Sequence, residues 1–148
     1  MTQSPNYLIT QSPPWWGRLM RVSGHSMTPT LNPGELVLVH GRAFAQRVPL
    51  RGEIVAARPG CLGGRAFVKR LVGLPHEQVE FEGERWQLGE DEFFLLGDRP
   101  THSLDSRLIG PVSRQELIGP VWARVWPWRV LGRTTTQEGN DGQTAEVP

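Results

Sequence analysis

Residues 65–72, Arg-Ala-Phe-Val-Lys-Arg-Leu-Val, form an apolar run with a lysine near its centre. Two glycines precede the run, and side chains alternate between the two faces of an extended chain. Phe67, Lys69 and Leu71 are therefore predicted to share one face of a β-strand. A lysine among apolar neighbours has two explanations. Either the strand lies at a sheet edge, where lysine guards against aggregation, or the amine is buried for chemistry.

Short strands separated by turns are predicted on both sides of this run. The chain has 148 residues with 17 glycines and 13 prolines, which interrupt it too often for a bundle of long helices. A short helix is expected after Ser113, which forms a capping-box pattern with Glu116. The fold class predicted is mainly β, with at most one short helix, at the strand spacing of a sandwich or barrel. The other strands are predicted at residues 35–40, 53–57, 78–81, 84–88, 92–96 and 119–126.

A chain of this length has room for one core, so we expect one domain. We place it at residues 15–133, between a flexible, proline-broken segment at 1–14 and a polar tail at 134–148 that is predicted to be disordered.

The formal net charge of +1 does not favour nucleic acid as a partner. A single cysteine, Cys61, excludes an internal disulfide. A buried free thiol is the default expectation for it, although its place between Pro-Gly and Gly-Gly suggests a loop. Neither a secretory signal nor an apolar run of about 20 residues is recognised, so a cytoplasmic or peripheral membrane location is expected.

A candidate nucleophile lies in residues 23–31, Ser-Gly-His-Ser-Met-Thr-Pro-Thr-Leu. Ser26 lies between a glycine and a proline, in a bent backbone suited to presenting a hydroxyl. A simple surface turn explains the same composition. The G-x-S-x-G pattern of many hydrolases is not met, because Thr28 stands where its last glycine should be.

Residues 93–110 lead from an apolar strand into a loop with two aspartates, two serines and two arginines. A solvated turn with a local ion pair between Asp105 and Arg107 is the simple explanation. Exposed pairs of that kind contribute about 0–1 kcal/mol, too little to explain such a density of polar side chains by stability.

These stretches together resemble the type I signal peptidase family of serine–lysine proteases. The first family motif, a serine followed by methionine with Pro-Thr-Leu close behind, matches residues 26–31. The lysine motif, Lys-Arg with an apolar pair, a glycine and a proline, matches residues 69–75. The last motif matches residues 97–98 and the Ser-Leu-Asp-Ser-Arg of residues 103–107. The resemblance covers about residues 22–112 and implies a compact antiparallel β-barrel or coiled sheet.

Two positions depart from the family pattern. Arg99 replaces the asparagine expected after Asp98, which would alter the loop without touching the serine or the lysine. Gly24 stands where some members carry a serine or threonine that helps to bind the oxyanion, although other members also have glycine.

The resemblance implies a role for each matched residue. Ser26 would attack a peptide carbonyl, and Lys69, as a neutral amine, would accept its proton. Ser103 would bind the lysine amine and orient it. The oxyanion would be met by the backbone N–H of Ser26. Asp105 and Arg107 would pair to hold the loop, and Asp98 would support it nearby.

The implied substrate is a precursor polypeptide with small residues before the cut. Gly24 would lie at the oxyanion site, while Met27 and the strand at 35–40 would wall the pocket. No cofactor or metal is expected, and His40 and His76 do not have the spacing of metal ligands.

The compact form of the chain is most similar to the subgroup that matures nickel-type superoxide dismutase by trimming a short leader. A signal peptidase that processes exported proteins at a membrane surface is the alternative. Peripheral contact with a membrane would then involve four tryptophans near the ends of the domain: Trp15, Trp16, Trp126 and Trp128.

Three other functions remain as alternatives. A histidine base would be His25 or, better, His102 with Asp105, although a solvated turn also explains His102. A self-cleaving repressor domain shares the serine start and the strand lysine, but residues 1–25 contain no Ala-Gly or Cys-Gly bond to cut. A non-catalytic β-barrel adaptor would use the tryptophans to bind a partner.

Overall fold

The structure is a computed structural model that describes residues 17–99, 101, 103–126 and 128–130, the last three by their backbone. The segments 1–14 and 134–148, predicted to be flexible or disordered, lie outside these residues, as do both ends of the predicted domain. Trp15 and Trp16 also lie outside them, and so does the side chain of Trp128.

The described part of the chain contains ten strands and two α-helices of four residues each. Both helices are too short to cross a membrane. The helices are α1 (Ala43–Gln46) and α2 (Ser106–Ile109). The strands are β1 (Gly17–Arg21), β2 (Leu36–His40), β3 (Ile54–Ala57), β4 (Phe67–Gly73), β5 (Gln78–Phe81), β6 (Glu84–Gln87), β7 (Glu92–Leu96), β8 (Val112–Ser113), β9 (Leu117–Trp126) and β10 (Trp128–Val130).

Most strands belong to one curled antiparallel sheet with the order β1-β2-β9-β3-β4-β7-β8, and β10 pairs with β9. Strands β5 and β6 form a separate hairpin. The long strand β9 pairs with both β2 and β3, and the register shifts along both pairings. Such irregularities increase local bend and twist, so the sheet curls into half a barrel. The mainly β fold class predicted from the sequence is confirmed.

The sheet is covered on both faces around β3, whose four side chains are all buried. Ile54 and Ala56 belong to one apolar cluster, while Val55 and Ala57 belong to the other. The first cluster also contains Met27 and Leu31, which come from the loop after β1. Packing of this loop into the core therefore fixes the position of the residues beside Met27.

The predicted helix after Ser113 is a single 3-10 turn, Arg114–Glu116. The capping box with Glu116 is present, but Leu117 pairs with Ala57 of β3, so the chain becomes a strand instead of a longer helix. The sequence analysis missed both α-helices and the strands β1, β8 and β10. Cys61, expected to be buried, is exposed on a 3-10 turn.

Candidate active site

Ser26 and Lys69 are brought together from opposite parts of the sequence. Lys69 Nζ donates a hydrogen bond to Ser26 Oγ over 2.6 Å. Lys69 belongs to β4, which lies between β3 and β7 in the sheet. The interpretation of Lys69 as an edge-strand lysine is therefore wrong, and its amine lies beside a hydroxyl.

The amine of Lys69 is in an environment that disfavours its charge. The residue is only 5% exposed, and burial lowers the pKa of its amine, while the negative charge of Asp105 opposes this effect in part. The amine also lies 5.0 Å from the centroid of the Phe67 ring. Within the described ranges, no carboxylate forms an ion pair with Lys69. A lowered pKa means that more of the amine is neutral at a given pH, and the neutral amine can accept a proton from a neighbouring hydroxyl.

The loop that carries Ser26 is anchored on both sides of the serine. Met27 is buried, and its carbonyl accepts a hydrogen bond from Leu31 N–H at 2.9 Å. The carbonyl of Ser26 accepts a hydrogen bond from Arg99 N–H, also at 2.9 Å. Thr30 Oγ1 donates to Asp98 Oδ2 at 2.7 Å. The serine loop is thus bound to the loop that follows β7.

Asp98 connects that loop to the strand of Lys69. Arg70, the next residue after Lys69, donates from Nε to Asp98 Oδ1 and from Nη2 to Asp98 Oδ2, both over 2.8 Å. Burial raises the pKa of Asp98, but the bonds from Arg70 and Thr30 outweigh it and keep this pKa below its usual range. The carboxylate therefore stays ionised at neutral pH and holds the segments together.

Asp105 and Arg107 form a second clamp. The carboxylate of Asp105 is fully buried and accepts two bonds from the Arg107 guanidinium, at 2.8 and 3.0 Å. Gly97 N–H donates to the same carboxylate at 3.0 Å. Ser106 Oγ accepts a further bond, from Leu95 N–H of β7, at 2.9 Å. Burial raises the pKa of Asp105, yet its bonds to Arg107 and Gly97 lower it below the usual value.

Ser103 lies beside this site but does not make the predicted contact. Its hydroxyl is buried, and no hydrogen bond joins it to the Lys69 amine. Instead it packs against Gly97, where an added Cβ would lie 2.3 Å from Ser103 Oγ and 2.7 Å from the carbonyl oxygen of Ser26. The absence of a side chain at Gly97 lets the two serine-bearing segments approach each other.

A pocket opens next to Ser26 and Lys69, between the end of β1 and the start of β4. It is lined by Met20, Arg21, Val22, Ser23, Ser26, Met27, Ala66, Phe67, Val68 and Lys69. Met27 is among its lining residues, as expected, whereas the strand at 35–40 is not. The position of Gly24 at the oxyanion site stays a prediction. The sequence analysis missed the contribution of residues 20–23, because no motif marks them and only their closeness to Ser26 could have indicated it.

The histidines do not supply a better arrangement in the described part of the chain. His25 is exposed, and its carbonyl, not its ring, is bonded to Thr28. His102 lies outside the described residues, while its proposed partner Asp105 is bonded to Arg107 and Gly97. Among the residues that the structure describes, no three His, Cys, Asp or Glu side chains are grouped so as to hold a metal ion.

A buried amine hydrogen-bonded to a serine hydroxyl, in a curled antiparallel sheet, forms a candidate peptidase site. Residues 15–87 and 83–126 match the family described as signal peptidase, peptidase S26. This match spans more than half of the chain, so the chain belongs to that family.

Curated relatives from bacteria and mitochondria are similar to the chain. Signal peptidase I of Leptolyngbya laminosa is 30% identical over 141 residues, covering 75% of this chain and 70% of the relative. Subunit 1 of the mitochondrial inner membrane protease of Schizosaccharomyces pombe is 36% identical over 118 residues, or 74% of each chain. The probable signal peptidase I-2 of a Synechocystis strain is 28% identical over 142 residues, covering 77% of this chain and 65% of the relative.

Proposed function

We propose that this protein is a serine endopeptidase that removes an N-terminal leader or signal peptide from a precursor protein. Ser26 would be its nucleophile and Lys69 its general base. The observation that carries this proposal is the 2.6 Å contact between Ser26 Oγ and the buried Lys69 amine. Family membership supports the class of reaction, and the geometry supports the choice of these two residues.

In the first step, neutral Lys69 accepts the proton of Ser26 Oγ as the oxygen attacks the carbonyl carbon of the peptide bond. The tetrahedral intermediate then collapses as protonated Lys69 gives its proton to the leaving amine, so that the C–N bond breaks. The precursor's leader stays attached to Ser26 as an ester. Water attacks this ester with Lys69 again as the base, and the proton returns to Ser26 Oγ.

The developing oxyanion needs a hydrogen-bond donor near Ser26. The backbone N–H of Ser26 has no protein acceptor among the described residues and is available for this role. Loss of one such donor typically reduces the rate by about 10²–10³-fold. Gly24, two residues earlier, offers no hydroxyl as a second donor.

Supporting residues hold this geometry without touching the substrate. The bonds of Asp98 to Arg70 and Thr30 fix the serine loop relative to β4. Asp105 and Arg107 fix the following loop, which carries Ser103. We assign Ser103 a positioning role through its packing against Gly97.

The experiment that tests the proposed function is N-terminal mapping of a bacterial proteome treated with the wild-type protein. New N-termini that follow small residues should form with the wild type and be absent with Ser26→Ala and Lys69→Ala. Arg85→Ala, on the separate hairpin, is the matched control and should give the same N-termini as the wild type.

A second experiment is covalent labelling. A serine-directed fluorophosphonate should label Ser26 of the wild type and fail to label Lys69→Ala. Cleavage by Ser26→Ala would overturn the proposal. If neither the wild type nor any variant cleaves a protein, the alternative of a non-catalytic adaptor would be favoured.

For the substrate, we propose the leader-bearing precursor of a nickel-type superoxide dismutase, because the compact form of the chain is most similar to the subgroup that matures this enzyme. An exported protein processed at a membrane surface is the second candidate, because the relatives include membrane proteases and Trp126 is 66% exposed at the end of β9. Both precursors should be incubated with the wild type, with and without lipid vesicles, and their new N-termini mapped. An uncut dismutase precursor, beside a cut exported protein, would overturn the first choice.

A further inference from the structure

Two exposed arginines lie near the Ser26–Lys69 pair. Arg21, at the end of β1, lines the pocket that contains both residues. Its side chain is exposed, and Nη1 donates to the carbonyl of Gly34 over 3.2 Å. That bond leaves the guanidinium charge without a carboxylate partner among the described residues.

The second exposed arginine, Arg99, lies in the loop that follows β7. Its backbone N–H donates to the Ser26 carbonyl at 2.9 Å, so residue 99 is directly beside the nucleophile. The residue is exposed, and within the described ranges it forms no ion pair. This is the position at which the sequence departs from the asparagine of the family pattern.

The carboxylates near the site do not neutralise these charges. Asp98 and Asp105 are each bonded to an arginine of their own, Arg70 and Arg107. Apart from the amine of Lys69, which acts in its neutral form, the residues that line the pocket include one cation, the guanidinium of Arg21, and no carboxylate. Seven of the 15 acidic residues of the chain lie in residues 77–92, on the β5–β6 hairpin, its flanking turns and the first residue of β7. The rim of the site is therefore positively charged in a chain of net charge +1.

We propose that Arg21 and Arg99 select precursors that carry an aspartate or glutamate within about four residues of the cut. This inference rests on the proposed function and adds a charge preference to it. A peptide bound with its scissile carbonyl at Ser26 runs extended along the pocket, at about 3.3 Å per residue. Its neighbouring side chains then lie near Arg21, which lines the pocket, and near the loop of Arg99, which is bonded to Ser26. Guanidinium groups form charge-assisted hydrogen bonds with carboxylates.

The test compares pairs of fluorogenic peptides with alanine before the cut and either Asp or Asn at one nearby position. We expect the wild type to give an Asp/Asn ratio of kcat/KM of about three to ten at the best position, as exposed or partly desolvated charge pairs allow. The ratio should fall towards one as the salt concentration is raised. In the Arg21→Glu and Arg99→Glu variants it should fall to one or below. Because each ratio is taken within one variant, a general loss of activity cancels.

Arg85→Glu is the matched control, since it makes the same charge change on the β5–β6 hairpin and should keep the wild-type ratio. Binding measured by fluorescence anisotropy with Ser26→Ala separates this inference from the proposed function, because it needs no cleavage. Tighter binding of the Asp peptide to Ser26→Ala supports the charged rim even if no peptide is cut. Equal binding of the two peptides, or a ratio near one in an active wild type, overturns it. A ratio lost equally in Arg85→Glu would show that net charge, not the rim, is responsible.

Discussion

The fully buried carboxylate of Asp105 lies 2.8 Å from Nη2 of Arg107, two residues later in the chain. The same carboxylate binds the backbone N–H of Gly97, at the end of β7. The pair therefore fixes the loop of Ser103 against the strand that leads to the site. This environment differs from that of the Arg85–Glu80 pair, whose side chains are 66% and 57% exposed.

We predict that Arg107→Met lowers the free energy of unfolding by roughly 3 kcal/mol, because it leaves a buried carboxylate without its cation. Arg85→Met, which breaks the exposed pair with Glu80, should cost no more than about 1 kcal/mol. Urea unfolding of both variants at pH 7, followed by tryptophan fluorescence, measures the difference. Equal, small losses in the two variants would show that Asp105 is satisfied by backbone N–H groups alone.

Gly97 is predicted to be intolerant of a side chain. The Cβ of Gly97→Ala would lie 2.3 Å from Ser103 Oγ and 2.7 Å from the Ser26 carbonyl oxygen, so the serine loop must move. A displacement of about 1 Å at a reacting group can reduce the rate about 10²-fold, and we expect a loss of kcat of that order. Steady-state kinetics on a cleaved peptide, together with the unfolding curve, measure it.

Gly89→Ala is the control for that substitution. Its added Cβ would meet only the flexible side chain of Glu92, at 3.4 Å or more, and activity should stay close to that of the wild type. Full activity in Gly97→Ala would mean that Ser103 and Ser26 do not need their close approach.

The sequence predicted much of the fold because alternation and turn residues are local signals. The strands at 78–81 and 92–96 were predicted with their observed bounds. The prediction of a helix after Ser113 was wrong, because the pairing of Leu117 with β3 overrides the local capping pattern. Strand β1 was missed since three of its five residues are exposed and its order depends on pairing with β2.

The motifs identified Ser26 and Lys69, but they could not supply their surroundings. The walls of the pocket come from residues 20–23 and 66–69, which meet only because β1 and β4 lie in one curled sheet. The contact of Ser103 with Gly97 depends on packing distances that the spacing of residues in the sequence does not determine. The bond of Arg99 to Ser26 is likewise a backbone contact that no residue type could indicate.

Activity should depend on pH through the amine of Lys69. Burial lowers its pKa from the ordinary 10.5, with the charge of Asp105 opposing this in part, and only the neutral amine can accept the serine proton. We therefore expect kcat/KM to rise with pH through one ionisation with a midpoint below 10.5. Lys69→Arg keeps its charge at every working pH and should lose activity throughout the profile. A wild-type midpoint near 6.5 that persists in Lys69→Arg would instead identify a histidine base.

The same buried amine is predicted to lower the stability of the fold. A lysine whose pKa is lower in the folded than in the unfolded chain binds fewer protons when folded. The free energy of unfolding therefore rises with pH between the folded and the unfolded pKa.

Lys69→Met removes the buried amine, and at pH 7 this inactive variant should be more stable than the wild type by about 0.5–2 kcal/mol. The difference should shrink as the pH rises towards 10.5, because the amine of the unfolded wild type then also begins to lose its proton, and it should vanish above that pH, where the amine is neutral in both states. Ser26→Ala is the control: it is also inactive but keeps the amine, so it should keep the wild-type pH dependence. Chemical unfolding of the three proteins from pH 6 to 10 measures this, and a Lys69→Met variant less stable than wild type at pH 7 would contradict it.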